Sequence, residues 1–586
     1  MNSRIEVVTI ETDVLIIGGG LAGCMAGIKA REHGVKVAIA EKSNTLTSGQ
    51  AGSGIDHIWA YIPEVHGKMG WTMEDLVEDH VQGVGHGFAS RELLHFMARQ
   101  SYDRVLDLER YGLRIRYDDS KLPGKFRLVH QFHSIPSALN VDARPIKAIL
   151  TKEAKRRGVT LLNRIMMTDL LTADGAVAGA AGIGTRDGKI YVFRAKGVVL
   201  CSGGKTGRLG RESIGLDFNL HLPANLCGDG KAMALRAGLP IMSMEFLSPR
   251  RLGVAHYDIS GGPPRNTWQP AASIVNALGA TIVPRTCFYE WGDLEKGYRV
   301  DAGESRRAWL VERRTLAASM PTPKTWQETG PLYLDCTGGT EEEIRYIEWS
   351  LSNEGKCHHF LKYLEEEGID LRRDKLEMGP LSREIGNLSC AGLVVDANLE
   401  TELRGLFAAG DEVGGTPFTA STGAFTMGWH CGDVLGQRAK EDDTLLPVDG
   451  EKVESLRQLC DDLLFARHGC HWREVGYALQ NVMDSYCGEV RTGPMLKRGL
   501  DCLRDIRSMP LKAANPHELA RCLEVKFLIE NGEMVMRASL AREESRRHPT
   551  HFCRADFPEQ DDRNWFAFSA TRLEKGKYRL SRIPIR

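Results

Sequence analysis

The sequence predicts an α/β protein that opens with a Rossmann-type dinucleotide-binding unit and closes with a helical region. Three observations support this. Within the first 41 residues a buried strand runs into a G-x-G-x-x-G turn, a helix and a second strand. Two further apolar strand segments, VVLCSGG at 198–204 and GLFAAGD at 405–411, lie far downstream. Beyond the polar linker 440–450, KEDDTLLPVDG, the apolar residues recur with helical period.

The elements follow in chain order. Val14 to Ile17 (VLII) is the first strand, short, apolar and suited to burial on both faces. Gly18, Gly19 and Gly20 follow, then Leu21, Ala22 and Gly23. Gly18 permits the tight turn, Gly20 admits a pyrophosphate to the backbone, and Gly23 lets helix and strand close together. The helix carries Ala22, Met25, Ala26 and Ile28 and stops at Gly34. VKVAIAEK, the second strand, ends on Glu41, placed where a carboxylate accepts hydrogen bonds from ribose hydroxyls. An acid there disfavours a 2′-phosphate, which argues against NADP.

The unit alone does not choose between FAD and NAD. The small-residue segment Ser48 to Gly54 allows a bulky planar ring to approach closely. Ser421, Thr422 and Gly423 open a helical stretch through Trp429, whose N-terminus suits the pyrimidine end of a flavin. GAAGIG at 179–184 has its glycines in the wrong order for a second nicotinamide site and reads as strand and turn.

Composition bounds the partners. At 586 residues the chain exceeds one core. Its 42% hydrophobic and 26% charged content is ordinary for a globular protein. The net charge of −1 lacks the basic excess of a nucleic-acid binder. No apolar run approaches the roughly 18–20 residues that span a bilayer. MNSRIEVVTIETD has no secretory apolar stretch, so a cytoplasmic location is expected. None of the 14 cysteines forms a C-x-x-C pair. They read as reduced, mostly buried thiols, and an iron–sulfur cluster would have to sit on a partner.

At this point the sequence resembles the flavoprotein subunits of succinate dehydrogenase, fumarate reductase and adenylylsulfate reductase. The resemblance rests on GGGLAG with Glu41, VVLCSGG, GDGKAMALRAGLPIMSMEF at 228–246, GLFAAGD, and AREESRRHPTHFCRADFPEQDDRNW at 541–565. The wording of GLFAAGD and of the C-terminal stretch is nearest the adenylylsulfate reductase branch. The resemblance implies FAD-dependent oxidoreductase activity and a ferredoxin-like iron–sulfur partner subunit. It also implies a Rossmann-type FAD-binding domain, an inserted α+β capping domain and a C-terminal helical domain. The expected division is 1–246 and 381–440 for the two parts of the FAD-binding domain, 247–380 for the cap, and 441–586 for the helical domain with its extended tail. Membrane association, if any, would be peripheral, through a partner.

By motif match, the cofactor contacts are Gly18, Gly20, Leu21, Ala22, Gly23, Glu41 and Lys42 on the opening unit, and Ser48, Gly49, Gln50, Ala51 and Gly52 after it. Downstream they are Ser202, Gly203, Gly204, Asp229, Gly410 and Asp411, with the backbone of Ser421, Thr422, Gly423 and Ala424. Relatives that attach FAD covalently use a His in an R-S-H-T segment. Thr47-Ser48-Gly49-Gln50 stands there instead, so noncovalent FAD is expected.

The dicarboxylate chemistry does not carry over. Arg250 stands where the family has a His after M-E-F, and Asn276-Ala277-Leu278-Gly279-Ala280 where it has the proton-moving Arg. Asn387 replaces a substrate-binding His, and Ser421 a carboxylate-clamping Arg. Two carboxylates need bidentate donors, and hydride addition needs a proton donor. The expected substrate is therefore another small anion, bound by Arg250, Arg251, His256, Arg265, Asn276, Arg383 and Asn387. Three alternatives stand beside this: a non-catalytic flavin electron-transfer protein of a larger complex, an adenylylsulfate reductase-like or fumarate reductase-like enzyme, and an oxygen-using oxidase.

In the remainder, 339–367 reads as helix with a break near Ser352 to Gly355, placing His358 and His359 on a helix surface. His430 and Cys431 read as helix packing. The stretch from Glu518 to Arg547 reads as one long amphipathic helix with Arg537, Arg542 and Arg546 on its later face. GKYRLSRIPIR reads as an edge strand.

Overall fold

The computed structural model describes residues 5–120, 122–129, 135–204, 206–210, 223–247, 252–254, 272–283, 330–352, 355–380, 390–546 and 552–585. Strand β1 (Val7–Ile17), helix α1 (Leu21–Glu32) and strand β2 (Val37–Glu41) form the expected opening unit. β1 pairs in parallel with β2 and, along its whole length, with the strand Ile190–Leu200. These strands belong to a seven-stranded sheet. Ile190–Leu200 is long enough to hold two neighbours: its first half pairs with Ala176–Gly184, its end with Leu406–Ala408. That last pairing sets GLFAAGD beside VVLCSGG, the strand that also pairs with β1. The GAAGIG segment lies inside the fully buried strand Ala176–Gly184, as read from its order of glycines.

The helix Ala420–Glu441 packs along α1. A Cβ at Gly428 or Gly432 would lie 2.3 Å from the carbonyl of Ala22 or Ala26, so only glycine lets the two backbones come this close.

Two smaller sheets flank this core. Strand β3 (His57–Trp59) pairs antiparallel with Ala138–Asn140, which also pairs with Leu128–Val129. A five-stranded sheet draws its strands from 252–380 and packs beneath the helices Glu341–Ser352 and Gly355–Glu366. Ala138, opposite Trp59, belongs to that second apolar cluster along with Ile274, Leu332, Ile347 and Phe360. The Ala138–Asn140 strand is thus a seam between the two bodies.

One sequence expectation fails in the C-terminal region. The long helix runs Pro516–Ala541 and is buried nearly all round, not amphipathic, because the neighbouring helices and the sheet pack on it from several sides. It ends before Arg542 and Arg546, which are buried and lie beyond the helix. The closing segment is a strand, Lys577–Pro584, at the edge of a four-stranded sheet.

Candidate functional site

The glycine turn is built by close contacts. Gly18 has φ +103°, and a Cβ on Gly23 would sit 1.9 Å from the Gly18 carbonyl oxygen. Gly20 differs from both: its conformation is extended and a Cβ there would meet nothing within 4 Å. The space above Gly20 is the space a pyrophosphate needs. Leu21 and Ala22 continue into the buried first turn of α1, which has no side-chain cap. Its leading amides are left to a ligand or solvent.

Segment 48–52 closes over this turn. A Cβ at Gly49 would lie 3.6 Å from the Gly20 Cα. Ser48 is buried and its hydroxyl has no hydrogen-bond partner. Gln50, Ala51 and Gly52 complete the turn through the bond from Gly52 N–H to the Gly49 carbonyl, 3.0 Å. An orphaned buried hydroxyl beside an open glycine backbone fits a bound dinucleotide, whose oxygens would satisfy it.

Glu41 ends β2 as expected. Its carboxylate accepts from Gly19 N–H and Ser43 N–H, both at 2.7 Å, which fixes its orientation beside the turn. Lys147 is buried and donates to the Gly19 carbonyl. Lys42 and Asp229 stand in a buried ion cluster. Lys42 Nζ lies 2.8 Å from Asp229 and 3.1 Å from Glu524, which in turn pairs with Arg208 at 2.6 Å. Burial opposes the charge on Lys42, but the two carboxylates outweigh it and hold its pKa above the ordinary lysine value. Burial pushes Asp229 above the ordinary carboxylate value. These two side chains brace the site against the C-terminal helix.

Ser202 donates to Glu412 at 2.6 Å and accepts from Gly230 N–H at 3.1 Å, so its hydroxyl is committed within the protein. Lys231, buried, donates to the Gly204 carbonyl. Burial raises the Glu412 pKa, and its Oε1 has no hydrogen-bond partner. Gly203 has φ +84° and Gly410 φ +70°. A Cβ at Gly410 would approach Ala22 Cβ to 3.3 Å and Ala424 Cα to 3.4 Å, so this turn, with Asp411 next to it, meets both helices.

The helix Ala420–Glu441 also has no side-chain cap at its N-terminus. Ser421 and Thr422 turn their hydroxyls away, to the carbonyls of His57 at 2.9 Å and Trp59 at 2.7 Å on β3. Its leading amides and positive dipole end suit an electron-rich ring, with Gly423 and Ala424 in the same turn.

The chain before this helix is anchored by His80, whose ring nitrogen lies 2.7 Å from the Pro417 carbonyl. His66 is held likewise by Pro136 and Ile62. Burial lowers both imidazoles from 6.5 to about 4, so both are neutral when folded. The unfolded chain binds these protons first as pH falls. Their stabilising contribution is therefore full above pH 6.5 and lost on descent toward pH 4. The expected loss is roughly 3 kcal/mol per histidine. Denaturant unfolding at stepped pH should show a steep fall across this window, reduced in a His66→Gln variant.

Lys147, Lys231, Glu412, Glu524 and the pair Asp56–His57 were not among the sequence-derived candidates. A signal existed for Lys231, a charge amid the Ala and Met of GDGKAMAL, whereas the others show only through tertiary contacts. Asn276 ends the strand Ser273–Asn276. Its side-chain oxygen accepts from Leu278 N–H at 3.0 Å and Ala280 N–H at 2.9 Å, capping an exposed hairpin turn. Arg250, Arg251, His256, Arg265, Arg383 and Asn387 lie outside the described residues, as do the side chains of His358 and His359. His430 packs edge-on against Phe96, and Cys431 is buried against the Ala408 carbonyl.

Known proteins share this fold. Residues 13–424 match the FAD binding domain family and residues 477–586 the fumarate reductase flavoprotein C-terminal family. The CoM/CoB fumarate reductase of Methanothermobacter marburgensis has a chain that is 26% identical over 94% of this one and 95% of its own length. The fold superposes on adenylylsulfate reductase of Archaeoglobus fulgidus with TM-score 0.83, at 24% identity over 99% of this chain and 96% of that one. On the quinol fumarate reductase FrdA of E. coli the TM-score is 0.75, at 20% identity over 98% and 97%. The chain belongs to the FAD binding domain family, ends in the C-terminal domain of fumarate reductase flavoproteins, and is an FAD-dependent oxidoreductase.

Proposed function

We propose that this chain exchanges two electrons between a small anionic substrate and an iron–sulfur partner subunit, through noncovalently held FAD. When bound, FAD supplies the exchange between a two-electron substrate step and single-electron transfer. The residues do the rest. Gly18, Gly20 and Gly23 with the α1 amides hold the diphosphate, and Glu41 orients the adenosine ribose. Ser48 satisfies its hydroxyl on the cofactor, and the first turn of Ala420–Glu441 faces the ring. The observation that carries this reading is the pair of uncapped helix N-termini converging with the open backbone at Gly20. We place the adjoining anion pocket at Arg250, Arg251, His256, Arg265, Arg383 and Asn387, on the division of domains given by the sequence. A cytoplasmic location belongs to the same reading, and no helix among the described residues is long and apolar enough to cross a membrane.

Absence of a histidine at 47–50 supports noncovalent attachment. Acid precipitation should leave yellow flavin in the supernatant, and a yellow pellet would refute this. Titrating sulfite, sulfate and dicarboxylates against the flavin spectrum tests the pocket. A perturbation is expected that Arg250→Ala and Arg265→Ala both abolish. No response to any anion would favour a non-catalytic role in electron transfer.

A further inference from the structure

We propose that His57, oriented by Asp56, is the proton-exchanging group of the flavin site. The inference rests on the flavin-site reading above and deepens it. His57 Nδ1 lies 2.5 Å from Asp56 Oδ1, and the Asp56 side chain is only 4% exposed while that of His57 keeps 15%. The main chain of His57 is tied to the helix Ala420–Glu441, its carbonyl accepting from Ser421 Oγ at 2.9 Å. Its ring stacks on Phe418, centroids 6.2 Å apart and planes 13° from parallel. Phe418 holds a φ of +53° immediately before that helix. The imidazole therefore sits against the turn that presents the helix N-terminus to the ring, next to the seam with the second body.

His66 and His80 make the contrast. Both are fully buried, bound to backbone carbonyls and neutral, so neither can cycle a proton. His57 instead has a carboxylate partner, which favours imidazolium and fixes the tautomer of the neutral ring. Among the described residues, the other groups around β3 are these. Asn140 pairs with His57 across the two strands, and Phe418, just before the helix Ala420–Glu441, and Ser421, in its first turn, flank it. On the helix Met73–Gly83, His80 packs on Trp59, and Asp79 accepts from Ile135 N–H at 2.9 Å.

In the reductive direction, the imidazolium would give the proton of its nitrogen remote from Asp56 to the substrate atom that gains negative charge, the two electrons being what bound FAD would supply. One N–H bond breaks and one bond to hydrogen forms on the substrate. The neutral imidazole would then take a proton from water. Oxidation reverses each step.

A proton site beside the flavin is linked to its potential, and the linkage is reciprocal. The test is the flavin midpoint potential of the full-length holoprotein from pH 5 to 9, for the native chain, His57→Gln and Asp56→Asn. The native plot should change slope at the imidazole titration. The change should vanish in His57→Gln and move to lower pH in Asp56→Asn. Superimposable plots for the native chain and His57→Gln would overturn the proposal. Should His57→Gln fail to fold, Asp56→Asn decides it, together with histidine-selective NMR titration of native protein with flavin oxidised and reduced. A His57 midpoint indifferent to flavin state overturns the proposal. A chain that takes up no flavin refutes the underlying site reading instead, and the two failures are distinct.

Discussion

Gly20→Val is expected to leave the fold intact and abolish flavin binding, while Gly23→Ala next door unfolds the same turn. At Gly20 the backbone is extended, with φ −69° and ψ −164°, and a new side chain meets nothing within 4 Å. Valine tolerates that conformation, so the flavin-free protein should melt as the native one does. Its methyls would fill the volume claimed for the pyrophosphate, weakening FAD by at least ~100-fold, about 2.7 kcal/mol. At Gly23 the added carbon would lie 1.9 Å from the Gly18 carbonyl oxygen, a backbone atom that cannot rotate aside. Helix and turn must separate, at a cost of about 3 kcal/mol, the upper part of the overpacking range. Flavin absorbance and thermal melting of the apoproteins separate the two effects. If Gly20→Val retained full flavin, the diphosphate would not lie on this turn.

Arg542→Met is expected to destabilise the protein by about 3–5 kcal/mol, the range for breaking a buried ion pair. Arg542 is fully buried and donates to Glu245 at 2.7 Å, Glu544 at 2.6 Å, and the carbonyls of Trp565 and Ala567 at 2.9 and 2.8 Å. Glu245 also accepts from Ser569 at 2.5 Å, and Glu544 is shared with Arg546. Removing the guanidinium strands one buried carboxylate and leaves two carbonyls unpaired. Lysine should not rescue it, because three donors on a point charge cannot replace a planar fork serving four acceptors. Arg542→Met combined with Glu245→Gln should recover part of the loss, since the stranded charge is then gone. Denaturant unfolding of the three variants measures this, and additivity of the two single effects would refute the coupling.

Local pattern was enough for the opening unit. An apolar run, a fixed spacing of glycines and an acid at the end of the second strand are short-range features, and each has one structural reading. The same held for the strand of VVLCSGG and the edge strand of the tail. Charged residues in mixed surroundings were another matter. Arg542 and Arg546 look in sequence like the polar face of a continuing helix, because helical period cannot register that the chain turns at Ala541 and buries them. Asn276 sits in a plausible alignment, yet its oxygen is taken by its own hairpin turn.

The sequence by itself determined the opening strand, glycine turn, helix and second strand, and the later strands of VVLCSGG and GLFAAGD. Tertiary structure alone decided which charges are buried together: Lys42 with Asp229 and Glu524, Arg542 with Glu245, and Asp56 with His57 against the Ala420–Glu441 helix. The reason is physical. Backbone geometry repeats with a short period that local sequence records, whereas a buried ion pair exists only when distant segments exclude water from the same few cubic ångströms.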